Sequence, residues 1–368
     1  MKPPPRCEVE VVLRAAVSHG VGGAAAWPTV PLGANDFHRV LKISMQDRLL
    51  GALAEAASDG AFRLLPEQSD QLTEQHAASQ AHMLRLERML LDVAEAFGGA
   101  GINFRVLKGA SLAHLVYADP AWRNAADIDL LIPSHQFDAA VRIAIDQLGG
   151  EQVVPELRPG FDREFGKESL VRIGKLELDL HRTFVAGPFG LSIDLDELFR
   201  DGTEITIGGR QSFGLGAEHR FLHACYDTAL GDYPVRLGSV RDLLLCRTQL
   251  QADLDQVVAT ARRWRGLAVV QRAAQLVVDS AGAEAGVGFA ELAAIDVPRR
   301  QAWLLRSYLT PARSYSRPLA SLAAISGVRA RLRYMHAILV PSAAYLRSRG
   351  WTERSHLRRS LHRLSRRG

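Results

Sequence analysis

Asp127 and Asp129 lie two residues apart in the run Ala-Asp-Ile-Asp-Leu-Leu-Ile, 126–132. The alternation of acid and aliphatic residues predicts a strand. On a strand, residues two apart face the same way, so both carboxylates project together while Ile128 and Leu130 turn into the core. Two carboxylates side by side repel unless a cation sits between them, and a hard divalent ion such as Mg2+ takes carboxylate oxygens. Some twenty residues upstream, Lys108-Gly109-Ala110-Ser111 ends a short apolar strand predicted at 104–107. A helix-like segment is predicted to follow at 112–117. A strand–glycine–helix start offers backbone N–H groups and a helix dipole to an anion. A metal-binding acid pair beside a phosphate-binding turn points to phosphoryl or nucleotidyl transfer.

The elements that must position these residues follow from periodicity. Upstream, helices are predicted at 47–57 and 67–97, the second with Met83, Leu86, Met89 or Leu90, Val93 and Phe97 at three-to-four spacing. Gly98, Gly99 and Gly101 end it. Residues 1–43 read as an irregular entry with a possible strand at 8–13. After the acid strand, Pro133-Ser134 precedes a helix predicted at 135–148, with Phe137, Val141, Ile145 and Leu148 on its buried face. Two strands are expected at 169–173 and 176–181, joined at Gly174-Lys175. In the second, Leu176, Leu178 and Leu180 share one face, and Glu177, Asp179 and His181 the other. From about residue 218 the pattern is helical: 218–230, 240–250, 253–263, 268–281, 329–340 and 352–364.

The stretch 104–132 resembles the nucleotidyltransferases of the DNA polymerase β superfamily, whose signature is a Gly-Ser-type turn followed by a strand bearing Asp-x-Asp. It is most similar to a branch of largely uncharacterised bacterial members that read Leu-Lys-Gly, then Tyr, Asp, Arg, then Asp-Ile-Asp-Leu-Leu. The matching residues are Leu107-Lys108-Gly109, Tyr117, Asp119, Arg123 and 127–131. The resemblance implies an α+β fold, a small mixed sheet with N-terminal helices and a C-terminal helical bundle. It divides the chain into a mostly helical segment 1–98, a catalytic core 99–212, a helical domain 213–346 and a basic helix or tail 347–368.

Nucleotidyl transfer of this kind uses two Mg2+ ions, for which Mn2+ can substitute, and an NTP as co-substrate. Asp127 and Asp129 are expected to hold them, with a third acid from a neighbouring strand. Asp179 is the best candidate, since it faces away from three leucines and precedes His181 in an Asp-x-His pattern similar to the family's. Glu177 and His181 are possible substrate contacts. Gly109 lets the backbone approach phosphates, Ser111 can hydrogen-bond them, and Lys108 can neutralise their charge. Arg123 either binds phosphate or pairs with Asp119 or Asp127. Tyr117 and Trp122 either stack a base or pack in the core. His223 and Asp227, four apart on a helix, form a small polar site or a structural pair. Arg182 stands where many members of the family have Trp.

Composition narrows the setting. The chain has 368 residues and is 47% hydrophobic, as a globular protein of two or three domains would be. No run approaches a membrane span, and the charged, proline-rich start lacks a signal-peptide core. A cytoplasmic protein is expected. Cys7, Cys225 and Cys246 have no metal or disulfide spacing. The formal charge of +5 resides in the tail: residues 347–368 hold eight arginines and one glutamate, a local +7 that leaves −2 for the rest. That tail either docks its leucines on the body, contacts RNA, or lies on an anionic surface. The function expected is transfer of a nucleoside monophosphate from NTP to an acceptor hydroxyl of a small molecule, peptide or protein, with release of pyrophosphate. The alternatives are a toxin-type enzyme acting on tRNA 3′ ends, and a protein that binds NTP or a partner without turnover.

Overall fold

The computed structural model describes residues 8–249, 252–282, 284–309 and 316–351. Cys7 and the helix expected at 352–364 lie outside them. The protein is α+β, as expected. Seven strands form one mixed sheet: β1 (Arg105–Val106), β2 (Ile128–Leu131), β3 (Glu151–Gln152), β4 (Glu168–Ile173), β5 (Leu176–His181), β6 (Gly202–Ile207) and β7 (Arg210–Leu215), in the spatial order β3-β4-β5-β2-β1-β7-β6. The two strands that matter most for chemistry are neighbours. β2 pairs in parallel with β5 and sets Asp129 directly beside Asp179, while β4 and β5 form an antiparallel hairpin.

Ile128, Leu130, Leu178 and Leu180 point to the opposite face and are buried. They pack with Met83, Leu86, Leu90, Val93 and Phe97 of the helix Pro66–Gly99, and with Phe137, Ala140 and Ala144 of the helix Phe137–Asp146. The latter helix is shorter than the predicted 135–148, because residues 134–136 form a separate 3-10 turn. Val141, Ile145 and Leu148 are only partly buried against this core. A second core joins the first helices of the chain, Glu8–Ser18, Ala34–Gln46 and Leu50–Ser58, to Ala217–Leu230, Leu237–Gln249, Leu254–Arg263 and Leu267–Ala281. Among the described residues, no helix is long and apolar enough to cross a membrane.

Three local expectations need correction. Residues 8–13 are helical rather than extended, within Glu8–Ser18. The alternation Glu-Val-Glu-Val misleads there; Val9, Val12 and Ala16 recur at helical spacing and bury against the helical core, so tertiary packing overrides β propensity. The supposedly irregular entry also holds the helix Ala34–Gln46, and the helix expected at 47–57 begins only at Leu50, because Arg48 takes a left-handed φ of 61°. Finally, β6 and β7 had no counterpart in the sequence periodicity. Ile205 and Ile207 alternate inward, and Gly208-Gly209 turn the hairpin at φ 55° and 76°.

Candidate active site

β1 ends at Val106, and the chain at once leaves extended geometry. Leu107 N–H donates to the Asp129 carbonyl at 3.0 Å, and Gly109 adopts φ 36°, ψ −115° inside the segment Lys108–Leu115. An added Cβ at Gly109 would meet the Asp127 carbonyl oxygen at 3.7 Å. The glycine turn therefore lies directly against the acid-bearing segment. Asp127 immediately precedes β2, Asp129 sits within it, and Asp179 lies opposite on β5. Asp129, Asp179 and His181 bring one ligand atom each within 4.8 Å of one another.

The three carboxylates share an unusual feature. Asp127 Oδ1, Asp129 Oδ2 and Asp179 Oδ1 are buried and accept no hydrogen bond. Buried polar atoms are nearly always satisfied, so three orphaned oxygens on adjoining positions call for a missing positive partner. Carboxylate oxygens are the donors hard divalent cations prefer, and Asp129 and Asp179, whose ligand atoms lie with that of His181 within 4.8 Å of one another, fit such an ion. The electrostatics agree. Burial, with repulsion from Asp129, raises the Asp127 pKa. Burial, aided by Glu168, pushes Asp179 up to about 7. Burial would raise Asp129 too, but Lys108 and a hydrogen bond from His181 hold it well below the usual carboxylate range.

Lys108 extends its ammonium between two acids, 3.2 Å from Asp227 and 3.6 Å from Asp129. Burial opposes its charge, but Asp227, Asp129 and Asp127 raise its pKa on balance, so it stays a cation. Asp227 in turn accepts from Ser239 Oγ at 2.8 Å. His181 Nε2 donates to Asp129 Oδ1 at 2.8 Å, and its Nδ1 is buried without a partner. His223 is buried against Phe184, which pushes its pKa down to about 3, a neutral ring at ordinary pH.

The other expected residues lie as follows. Ser111 is buried with its Oγ unpartnered, packed so tightly on β7 that a Cβ at Gly214 would meet it at 2.6 Å. Arg123 pairs with neither Asp119 nor Asp127. It forms a buried fork with Asp242, at 3.1 and 2.7 Å, which Tyr117 joins by donating its hydroxyl to Asp242 Oδ1 at 2.8 Å. Asp119 caps the turn Pro120–Trp122, and Trp122 stacks on His76. Glu177 is at the far end of β5 from His181, in an exposed pair with Arg172. Arg182 is buried, donating to the Gly166 carbonyl.

Three charged groups near the acids had no place in the sequence reading. Glu168 faces His181 across the β4–β5 hairpin, and counting back from the Gly174-Lys175 turn would have found that register. Lys167 pairs with Glu168 and lies close enough to Asp129 to help depress its pKa. Arg48 acts electrostatically on both Asp127 and Lys108, from a left-handed backbone position more than fifty residues away. No local signal marked it.

Comparison with known proteins bears on this geometry. Residues 33–281 match a family described as uncharacterised nucleotidyltransferases. No curated protein matches the chain. Among solved structures, ANT(2")-Ia in complex with adenylyl-2"-tobramycin is similar over 49% of this chain and 96% of its own, with 17% identity and a TM-score of 0.35. A nucleotidyltransferase-like antigenic protein from Paracoccidioides brasiliensis is similar over 50% and 90%, with 16% identity and a TM-score of 0.32. The family match spans the glycine turn, all three acids and the helices that hold Lys108 in place, and on that match the chain belongs to this nucleotidyltransferase family.

Proposed function

We propose that this protein transfers a nucleoside monophosphate from an NTP to an acceptor hydroxyl, with Mg2+ held by Asp127, Asp129 and Asp179. The observation that carries the reading is the trio of buried, unpartnered carboxylate oxygens at the β2–β5 junction, beside the Gly109 turn. Bound there, Mg2+ would supply positive charge to the triphosphate and would make the attacking hydroxyl more acidic. Asp179, whose Oδ1 is buried without a partner beside Asp129, is placed to take the hydroxyl proton. The acceptor oxygen bonds to the α-phosphorus as the bond to the bridging oxygen breaks, and pyrophosphate leaves. His181 holds Asp129 in orientation through their 2.8 Å hydrogen bond. Gly109 gives phosphate access to the backbone, and Lys108, anchored by Asp227, keeps a cation at the rim. Residues 99–212 serve as the catalytic core, and the helical domain 213–346 contributes the Asp227 anchor. Arg123 acts through Asp242 as a clamp, since its fork is already engaged.

The test is incubation with each α-32P-labelled NTP, Mg2+ or Mn2+, and a cell extract, beside Asp127→Asn/Asp129→Asn protein. Label moving to a discrete small-molecule, peptide, protein or RNA species with the wild type alone is the expected result. Metal-dependent NTP binding without transfer to any species would instead identify a nucleotide-binding protein.

A further inference from the structure

A second charged site lies away from the acids, where the segment after β5 meets the helices near the end of the described chain. One cavity there, of about 510 Å³, is lined by four arginines, Arg263, Arg265, Arg300 and Arg331. It opens into an apolar neighbour of about 340 Å³ that includes Phe189, Pro298 and Leu304. Ser192, Arg265, Arg300, Ala323 and Ala324 line both, so the two are one bipartite pocket. None of Asp127, Asp129 or Asp179 borders it, and no acidic side chain lines either part.

The four guanidinium groups are poorly balanced. Arg263 pairs with Glu197, and Arg331 donates Nε to the Ile325 carbonyl at 2.9 Å. The guanidinium groups of Arg265 and Arg300 have no hydrogen-bond or ion-pair partner among the described residues. All four arginines are exposed, so solvent screens them from one another, and the positive charge that Arg265 and Arg300 leave unanswered is available to an anion. Arg265 is also costly to place. It follows the helix Leu254–Arg263 in a left-handed conformation, φ 56°, at the helix end where glycine is usual. Glycine stands one position later instead, where any Cβ would strike the Tyr226 hydroxyl at 2.2 Å. A strained arginine aimed at a basic cavity is the pattern expected of a recognition residue.

We propose that this pocket binds a phosphomonoester that carries an apolar substituent. The phosphate would sit among Arg265, Arg300 and their neighbours, where planar forks match its oxygens. The substituent would enter the slot beside Phe189 and Leu304. The site is independent of the nucleotidyl-transfer reading and would stand if that reading failed.

Calorimetric titration of the full-length protein with n-hexyl phosphate, n-hexanol and inorganic phosphate tests it. Hexyl phosphate should bind at least tenfold more tightly than inorganic phosphate, the gain expected from burying about two methylene groups of the chain. Hexanol should bind more weakly than either. Arg265→Gln/Arg300→Gln, at exposed positions, should lower hexyl phosphate affinity about tenfold or more without changing the melting temperature. Arg265→Gly separates role from fold, because it should raise the melting temperature by relieving the backbone while weakening binding. Ala324→Gln, where the two parts meet, should weaken hexyl phosphate more than phosphate. Co-sedimentation with phosphatidic acid vesicles then tells a lipid source from a soluble one. Equal affinity for hexyl phosphate and phosphate, binding indifferent to the arginine variants, or arginine-dependent binding of a short RNA but not of hexyl phosphate would each overturn the proposal.

Discussion

Two buried charged clusters flank the turn between Lys108 and β2, and they are built on opposite terms. In the first, Asp242 has both oxygens served by Arg123 and one of them also by the Tyr117 hydroxyl, so charge and hydrogen bonds nearly close. In the second, Asp127, Asp129 and Asp227 gather around Lys108 with Asp179 beside Asp129, and three of these four acids keep an unpartnered oxygen. Both clusters draw on residues of the same family-like motif, Arg123 and Tyr117 for one, Asp127 and Asp129 for the other. Motif membership does not distinguish them. Their state of completion does: a closed pair holds the scaffold, whereas an open set has room for something the protein alone does not supply.

The sharpest way to break this contrast is to close the open cluster. Asp179→Asn should cut transfer by roughly 10³-fold, on the scale of losing one essential electrostatic group. The same variant should melt at a higher temperature than the wild type at pH 8 in the absence of metal. Asp179 titrates at about 7 in the folded protein against an ordinary 3.8, so its ionised form opposes folding above that pH, and this penalty disappears as pH falls toward 4. Activity assays and melting curves at pH 5 and 8 check both halves. A variant that is inactive because it is unstable would contradict the distinction.

Opening the closed cluster should do the reverse. Arg123→Met leaves Asp242 buried without its cation, a loss of about 3–5 kcal/mol, seen as a melting temperature lower by roughly 4–6 °C. Adding Asp242→Leu should restore much of it. Chemical denaturation of the single and double variants gives the answer.

The open cluster should also couple metal binding to proton release. Mn2+ affinity should rise about tenfold per pH unit up to about 7 and level off above, because one carboxyl must lose its proton for the ion to enter. A flat profile from pH 5 to 8 would mean that Asp179 is not part of the site. The smallest effect belongs outside both clusters. Glu177→Gln, in an exposed pair with Arg172, should leave transfer within about twofold and stability within about 1 kcal/mol.

Much of this arrangement was legible in the sequence, and the reasons are physical. The Asp127–Asp129 spacing, the leucine alternation of β5 and the glycine turn are short-range patterns, and period-two geometry converts them into faces without further information. The two-residue turn at Gly174-Lys175 likewise fixed the β4–β5 hairpin. What escaped depended on long-range placement. That Asp227 would anchor Lys108, 119 residues away, follows from how one helix docks on the sheet rather than from any spacing. Arg48 reaches the site from the end of a helix whose existence was itself hidden in an unreadable entry. The choice of Asp242 as the partner of Arg123 had the same character, since nearer acids were available in the chain. The helix at 8–18 escapes a sequence reading because two Glu-Val repeats satisfy both periods until the helical core selects one.

The central claim is that the three orphaned carboxylates hold divalent metal for the NTP, and titration of Mn2+ by electron paramagnetic resonance, with a non-hydrolysable NTP present, tests it most directly. The result expected is protein-bound Mn2+ in excess of that bound by the nucleotide alone, lost in Asp129→Asn and in Asp179→Asn and retained in Glu177→Gln. Equal Mn2+ binding by all four proteins would contradict it, and would return the acid cluster to the status of an unexplained strain in the fold.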